Sequence, residues 1–450
     1  MVTPDGYAFY SMGVNHITPE GYYAPKLGYS PYENSILAIY GSKEKWAEAT
    51  RNRLREWGFN TLGGWSEQKY FPEFPYTLQL DFSSLGGGLW MKENSPKQSA
   101  ILKLLSPMAG QVPETPLPND LDGTGLKGLL GWAKGIFPDV FDPEWEQKVY
   151  KEAERACAPR KNDPYLIGYF TDNELRFGPD WRGLETMLDV YMKLAPAAPG
   201  KKRLVMFFRE RYGNDFSAFE KVWKSGAHNF EELLEKDKLG ASWWRERVRL
   251  QADVYAFDGV VAERYFSVSA GAIKKYDPNH LILGCRFHAL GVTPEVIKAA
   301  GKYDDLLSIN LYYITPLQNL LVRLIGNVDF SGWMKNYYEL SGKPILGTEF
   351  SYRAITSGLP NTKGAPVTVF SQHDRGFGYG IYAQNCQKAP YIVGYHWFNY
   401  MDEPKEGRYD GENSNYGLVN KDDRPYNALV KEITRVNNQS YAKHLTSSIK

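Results

Sequence analysis

Two stretches, Tyr169-Phe170-Thr171-Asp172-Asn173-Glu174 and Pro344-Ile345-Leu346-Gly347-Thr348-Glu349-Phe350, decide how this chain is read. Each is an apolar run that breaks off at a glutamate. In a barrel of parallel strands, the side chains at the C-terminal strand ends surround the active site. Either glutamate alone could equally close a strand in a surface ion pair. Two of them delivered from different strands are the minimum equipment for cleaving a glycosidic bond. One protonates the leaving oxygen, and the other attacks the anomeric carbon or activates water.

Outward from these two stretches, strand-like and helix-like segments alternate, which is the pattern of a parallel α/β fold. Residues 9–15 read as a first strand, 59–65 as a second and 76–82 as a third. Between the first two, a helix over 43–57 carries Trp46, Ala49, Leu54 and Trp57 on one face, with Gly58 as its stop. A Gly/Pro-rich stretch over 83–141 would be an extended loop after strand three. It contains Gly123-Thr124-Gly125-Leu126-Lys127-Gly128, a formal dinucleotide fingerprint that no strand precedes and that is therefore set aside. Asp142-Pro143 opens a helix with an acidic cap and a first-turn proline. Strand four runs from Leu166 toward Glu174, followed by a helical insertion around 178–244 and a long helix over 246–275. Residues 280–288, 306–312, 344–349 and 391–398 supply strands five to eight, and a final helix follows Asp422. The expectation is one (β/α)8 TIM-barrel domain over 1–450, with a long loop after strand three and a helical insertion after strand four.

Composition narrows the classes of function. Lys and Arg number 53 against 52 Asp and Glu, so no basic field favours nucleic acid or an anionic membrane as partner. No apolar run approaches a membrane span. Aromatic residues make up 15% of the chain, which suits a carbohydrate substrate whose C–H faces stack on rings, although most rings serve a core. Cys157, Cys285 and Cys386 are widely spaced and odd in number, so they form neither a metal-ligand pattern nor a fully paired disulfide set. Zinc-protease, P-loop and serine-hydrolase motifs are missing, so no metal or cofactor is expected. The start does not read as a signal peptide. Location is open: extracellular or periplasmic if a leader has been removed, otherwise cytoplasmic. Oligomeric state is equally open.

Eight strands with glutamates ending the fourth and the seventh resemble glycoside hydrolase clan A, the retaining (β/α)8 enzymes, over nearly the whole chain. In that clan an Asn-Glu pair ends strand four, which Asn173-Glu174 matches, and the nucleophile ends strand seven, which Glu349 matches. The resemblance implies that Glu174 is the acid/base, that Asn173 contacts the substrate 2-hydroxyl, and that Tyr312 hydrogen-bonds the nucleophile. It also implies that Trp397 floors the −1 sugar. Longer phrases, including Trp57-Gly58-Phe59-Asn60-Thr61-Leu62-Gly63-Gly64-Trp65 and Asp277-Pro278-Asn279-His280-Leu281, are similar to the agarase-like families 50 and 86. So is the late segment Asp410-Gly411-Glu412-Asn413-Ser414-Asn415-Tyr416-Gly417-Leu418-Val419.

The expected activity is retaining β-glycoside hydrolysis by double displacement, with agarose-type β-galactan as leading substrate. A β-galactosidase or a β-glucan or mannan hydrolase is the rival within the same chemistry. A non-catalytic carbohydrate-binding barrel is the rival from another class. Asn15, Trp65, Arg286, His288 and Asn310 also stand at strand ends, where a barrel would turn them toward the substrate; each serves equally well as a supporting residue. His396 reads as a packed neighbour of Trp397, and Glu403, Glu406, Asp410 and Glu412 as solvated charges of the loop after strand eight.

Overall fold

The computed structural model describes residues 1–85, 137–180, 182–288, 292–313 and 330–448. Eight parallel strands close into a barrel: β1 (Ser11–Val14), β2 (Thr61–Leu62), β3 (Tyr76–Gln79), β4 (Leu166–Asn173), β5 (Leu281–His288), β6 (Leu307–Asn310), β7 (Ile345–Phe350) and β8 (Ile392–Trp397). Each strand pairs with its neighbours in sequence, and β1 closes the ring by pairing with β8 from Ser11↔Gly394 to Val14↔Trp397. The barrel is the expected (β/α)8 fold. Most of the 83–141 stretch, including the glycine-rich 123–128 motif, lies outside the described residues.

Helices surround the barrel: α1 (Pro31–Tyr40), α2 (Lys43–Glu56), α3 (Pro143–Cys157), α4 (Met187–Met192), α5 (Pro199–Arg211), α6 (Phe216–Trp223), α7 (Arg247–Tyr276), α8 (Pro294–Tyr303), α9 (Phe330–Ser341), α10 (Gln372–Lys388) and α11 (Asn427–Ser448). Local chemistry sets their starts. Asp142 accepts from the Glu144 amide at 2.9 Å ahead of Pro143, and Ser42 accepts from Lys45 at 3.3 Å. Helices α4 to α6 fill the interval after β4. There the buried ammonium of Lys201 donates to the carbonyls of Met192 and Lys236, and burial lowers its pKa to about 8. Two-residue strands Arg353–Ala354 and Thr368–Val369 pair outside the barrel.

Strands two and three are shorter than the sequence pattern suggests. After β2 the chain passes Gly63, where a Cβ would lie 2.4 Å from Asn15 Oδ1, and turns left-handed at Trp65 (φ 58°). The Gly63 amide still donates to the Val14 carbonyl at 2.7 Å, and the left-handed turn at Trp65 carries the chain away from β1.

Apolar residues form two regions. A small one, Phe170, Leu283, Leu306, Leu346 and Val393, plugs the barrel interior. The larger one lies between strands and helices, where Phe350 of β7 stacks on Tyr382 of α10 at 3.7 Å between ring centroids. Helix α11 clamps the closure. Asn437 accepts from Tyr379 of α10 at 2.6 Å and Tyr395 of β8 at 3.2 Å, and donates to the Trp57 carbonyl at 3.0 Å.

Candidate active site

Polar side chains continue the filling of the barrel interior. Ser11 Oγ lies 2.8 Å from both Thr61 Oγ1 and His396 Nε2. A Cβ on Gly13 would sit 2.5 Å from the His396 ring, so glycine is required there. Burial and the nearby Arg286 push His396 down to about 3, so its imidazole is neutral at any working pH. It packs, as expected, and lies inside the barrel.

Arg286 of β5 is fully buried. Its guanidinium donates to the Thr348 carbonyl at 3.0 Å and to Asn15 Oδ1 at 3.3 Å, and lies 2.9 Å from Glu349 Oε1. Trp65 covers it, with the ring centroid 4.3 Å from the guanidinium carbon. Asn15 is itself fully buried and donates to the carbonyls of Thr348 (2.8 Å) and Trp397 (3.2 Å). Asn15 therefore holds β7 and β8 to β1 and sets Arg286, and it does not line the open cleft.

Glu349 stands near the C-terminal end of β7, and its second oxygen accepts from the Tyr312 hydroxyl. Burial pushes its carboxyl up to about 7; Arg286 and the Tyr312 hydroxyl pull it down, while the charge of Glu174 adds to the rise. The cation beside Glu349 favours its charged form.

Glu174 follows β4 directly, in a left-handed turn (φ 46°). Its amide donates to the Arg286 carbonyl at 2.8 Å, and its own carbonyl accepts from Arg182 at 2.7 Å. Asn310 at the end of β6 links Glu174 to Thr348, the residue before Glu349. Its Nδ2 donates to Glu174 Oε1 at 3.0 Å and to Asn173 Oδ1 at 3.1 Å, and its Oδ1 accepts from Thr348 Oγ1 at 2.7 Å. Asn173, Glu174, Arg286, Asn310, Tyr312 and Glu349 thus meet at one end of the barrel, with Trp65 on the rim. His288 ends β5 in register with Asn310 and is mostly buried.

Trp397 is placed differently from the expectation. It is fully buried, donates to the Tyr416 carbonyl at 3.0 Å and meets Phe350 edge-on at 5.2 Å and Tyr379 of α10 at 5.7 Å. Arg375 of α10 lies 5.4 Å from its ring centroid. Because successive strand residues point to opposite faces, His396 takes the inward position and Trp397 the outward one. It cannot floor a sugar. The next aromatic, Phe398, faces Trp65 (6.4 Å) and Tyr416 (5.5 Å) instead.

The loop after β8 also departs from the expectation of solvated charges. Arg408 lies 3.1 Å from Glu403, 2.9 Å from Asp410 and 2.9 Å from Glu412, and no side chain in this cluster is more than 14% exposed. Its guanidinium sits 5.3 Å from the Tyr22 ring, which stacks on His16 at 4.1 Å. Two of the acids, Asp410 and Glu412, stand two and four residues after the arginine, a spacing that could have suggested an ion cluster. Asp180, four residues from Arg176 and two from Arg182, repeats that spacing and pairs with both arginines, which fix the turn after Glu174. Among the described residues, no group of three or more His, Cys, Asp or Glu could hold a metal ion, and no helix is long and apolar enough to cross a membrane. Cys157, Cys285 and Cys386 are buried and free.

No protein-family model matches the chain. It is 29% identical over 426 residues to β-agarase B of Vibrio sp. (strain JT0107), covering 92% of this chain and 38% of that protein. It is 26% identical over 428 residues to β-agarase A of the same strain, with the same coverage. The chain therefore spans well under half the length of these curated relatives. A solved exo-β-agarase superposes with a TM-score of 0.73 at 24% identity, over 99% of this chain and 64% of that one.

Proposed function

We propose that the barrel is the catalytic domain of a retaining β-glycoside hydrolase of the agarase-like branch of clan A, acting on agarose-type β-galactan. The observation that carries the reading is the asymmetric setting of the two acids. Glu349 is gripped by a cation and a phenol, while Glu174 accepts from a neutral amide. The likeness to two β-agarases supports the substrate class.

In this reading Glu349 attacks the anomeric carbon as a carboxylate and Glu174 gives its proton to the leaving oxygen. Once Glu349 is esterified its charge is gone, and Glu174 becomes the base that activates water. Arg286 and Tyr312 aim the nucleophile, and Asn310 keeps Glu174 in register with it. Asn173, half-buried beside Glu174, contacts the sugar 2-hydroxyl. His288 borders the same pocket.

The test is incubation with a panel of agarose, β-glucan, β-mannan and aryl β-galactosides, reading the anomer of the first product by proton NMR. Release of oligosaccharides from agarose with retained configuration is expected. An inverted first product overturns Glu349 as nucleophile, turnover of only a glucan or mannan overturns the galactan assignment, and no turnover on any substrate overturns catalysis.

A further inference from the structure

The connection from the helices after β4 into α7 carries the sequence Ala241-Ser242-Trp243-Trp244-Arg245-Glu246. Trp244 is 51% exposed, whereas its neighbour Trp243 is buried and meets it edge-on at 4.6 Å. Trp244 is nevertheless fixed, because its Nε1 donates to the Leu184 carbonyl at 3.0 Å. Leu184 belongs to the turn that leaves Glu174. There Arg182 donates to the Glu174 carbonyl at 2.7 Å, and Arg176 donates to the Glu185 carbonyl at 2.8 Å. Helix α7 is about 45 Å long at 1.5 Å per residue and runs down to β5. Its N-terminal end therefore stands on the same side of the barrel as the two glutamates.

We infer that Trp244 is a stacking platform for a sugar unit of the polysaccharide, in an outer subsite on the leaving-group side of the cleft; this rests on the function proposed above. Three features favour a pyranose over a protein partner. The ring is large and anchored, so little freedom is lost on binding. Its surroundings are charged: Arg245, Arg247 and the ion pair of Glu185 with Lys193 at 3.5 Å offer hydrogen bonds to hydroxyls. The exposed apolar side chains of this segment, Trp244 and Val248, also fall short of the contiguous apolar area of several hundred square ångströms that a docking protein needs. The side of the cleft follows from Glu174, since the residue that protonates the leaving oxygen lies toward the leaving group.

Kinetics of wild type, Trp244→Ala and Trp244→Phe on long agaro-oligosaccharides and on a short aryl β-galactoside test this. Trp244→Ala should raise KM for the long substrate about 2- to 10-fold and leave kcat/KM on the aryl substrate unchanged. Trp244→Phe, which keeps a ring and loses the hydrogen bond, should stay near wild type on both. Equal loss in the two variants, proportional loss on the aryl substrate, or an unchanged KM in Trp244→Ala overturns the platform. Should Trp244→Ala not fold, oxidation of indoles by N-bromosuccinimide in the Glu349→Gln variant decides instead. An added agaro-oligosaccharide should protect Trp244, and unaltered oxidation overturns the inference. A wild type inactive on every glycoside would refute the proposed function, whereas an active enzyme indifferent to Trp244 would refute only the platform.

Discussion

Arg286 Nη2 lies 2.9 Å from Glu349 Oε1, with both residues almost wholly out of solvent. A buried pair of this kind adds little net stability, because desolvation offsets attraction. Its value is positional: the same guanidinium also grips the Thr348 carbonyl and Asn15, so strands β1, β5 and β7 all converge on one carboxylate.

Tyr312→Phe removes a donor that lowers the Glu349 pKa, so that pKa should rise further. The acidic limb of kcat/KM, lying near neutral pH in the wild type, should move to higher pH with the melting temperature little changed. Arg286→Met should move it further and, by leaving a buried carboxylate uncompensated, should cost about 3–5 kcal/mol of stability. A limb that stays put or moves to lower pH in both variants contradicts this electrostatic account.

Glu349→Ala should abolish turnover on every substrate, and azide should then restore a glycosyl azide of inverted configuration. Glu174→Ala should slow agarose cleavage about 10²–10⁴-fold and hurt aryl glycosides with good leaving groups far less. Equal losses on both substrate types in Glu174→Ala would remove it as the proton donor.

Trp397→Ala should behave as a core deletion. Its loss leaves a cavity costing about 3–5 kcal/mol, seen as a lower denaturation midpoint, while kcat of the folded fraction stays within a few-fold of wild type. A kcat collapse without loss of stability would return Trp397 to the substrate.

Arg408→Met strands Glu403, Asp410 and Glu412 together. Burial and like charge, no longer opposed by the cation, hold the folded-state pKa values of Glu403 and Glu412 above the unfolded ones, so the variant keeps stability below the ordinary carboxylate range and loses it as pH rises. The melting-temperature deficit relative to wild type should therefore be larger at pH 8 than at pH 5. A pH-independent deficit would mean the cluster does not act through charge.

Much of this was legible in the residues. The runs ending in Glu174 and Glu349 are buried strands, and Asp142-Pro143 starts a helix as its cap chemistry requires. Tyr312 and Arg286 were placed at strand ends, and both touch Glu349. The face of Trp397 is not legible, because one step along a strand reverses the face and the pattern 391–398 is apolar on both sides. Glu403, Asp410 and Glu412 read as solvated because charged residues in a polar loop look alike whether solvated or packed. What buries them is the fold of the loop against Tyr22, far away in sequence. Asn15 and Asn310 could be placed near the site, but their roles as struts depend on partners that only the closed barrel supplies.

The clamp on the barrel seam bears on how the chain assembles. Trp57 and Asn437, joined by a hydrogen bond, are 380 residues apart, and Ser11 meets His396 across 385. Loop-closure entropy must be overcome before such contacts are rewarded, so folding governed by them is slow. Until β8 is in place β1 has no strand to close on, and until α11 docks through Asn437 the seam between them is unclamped, so the edge of β1 is open to other chains. Refolding yield should therefore fall with protein concentration, and truncation ahead of Asn427 should give aggregate rather than a smaller folded barrel.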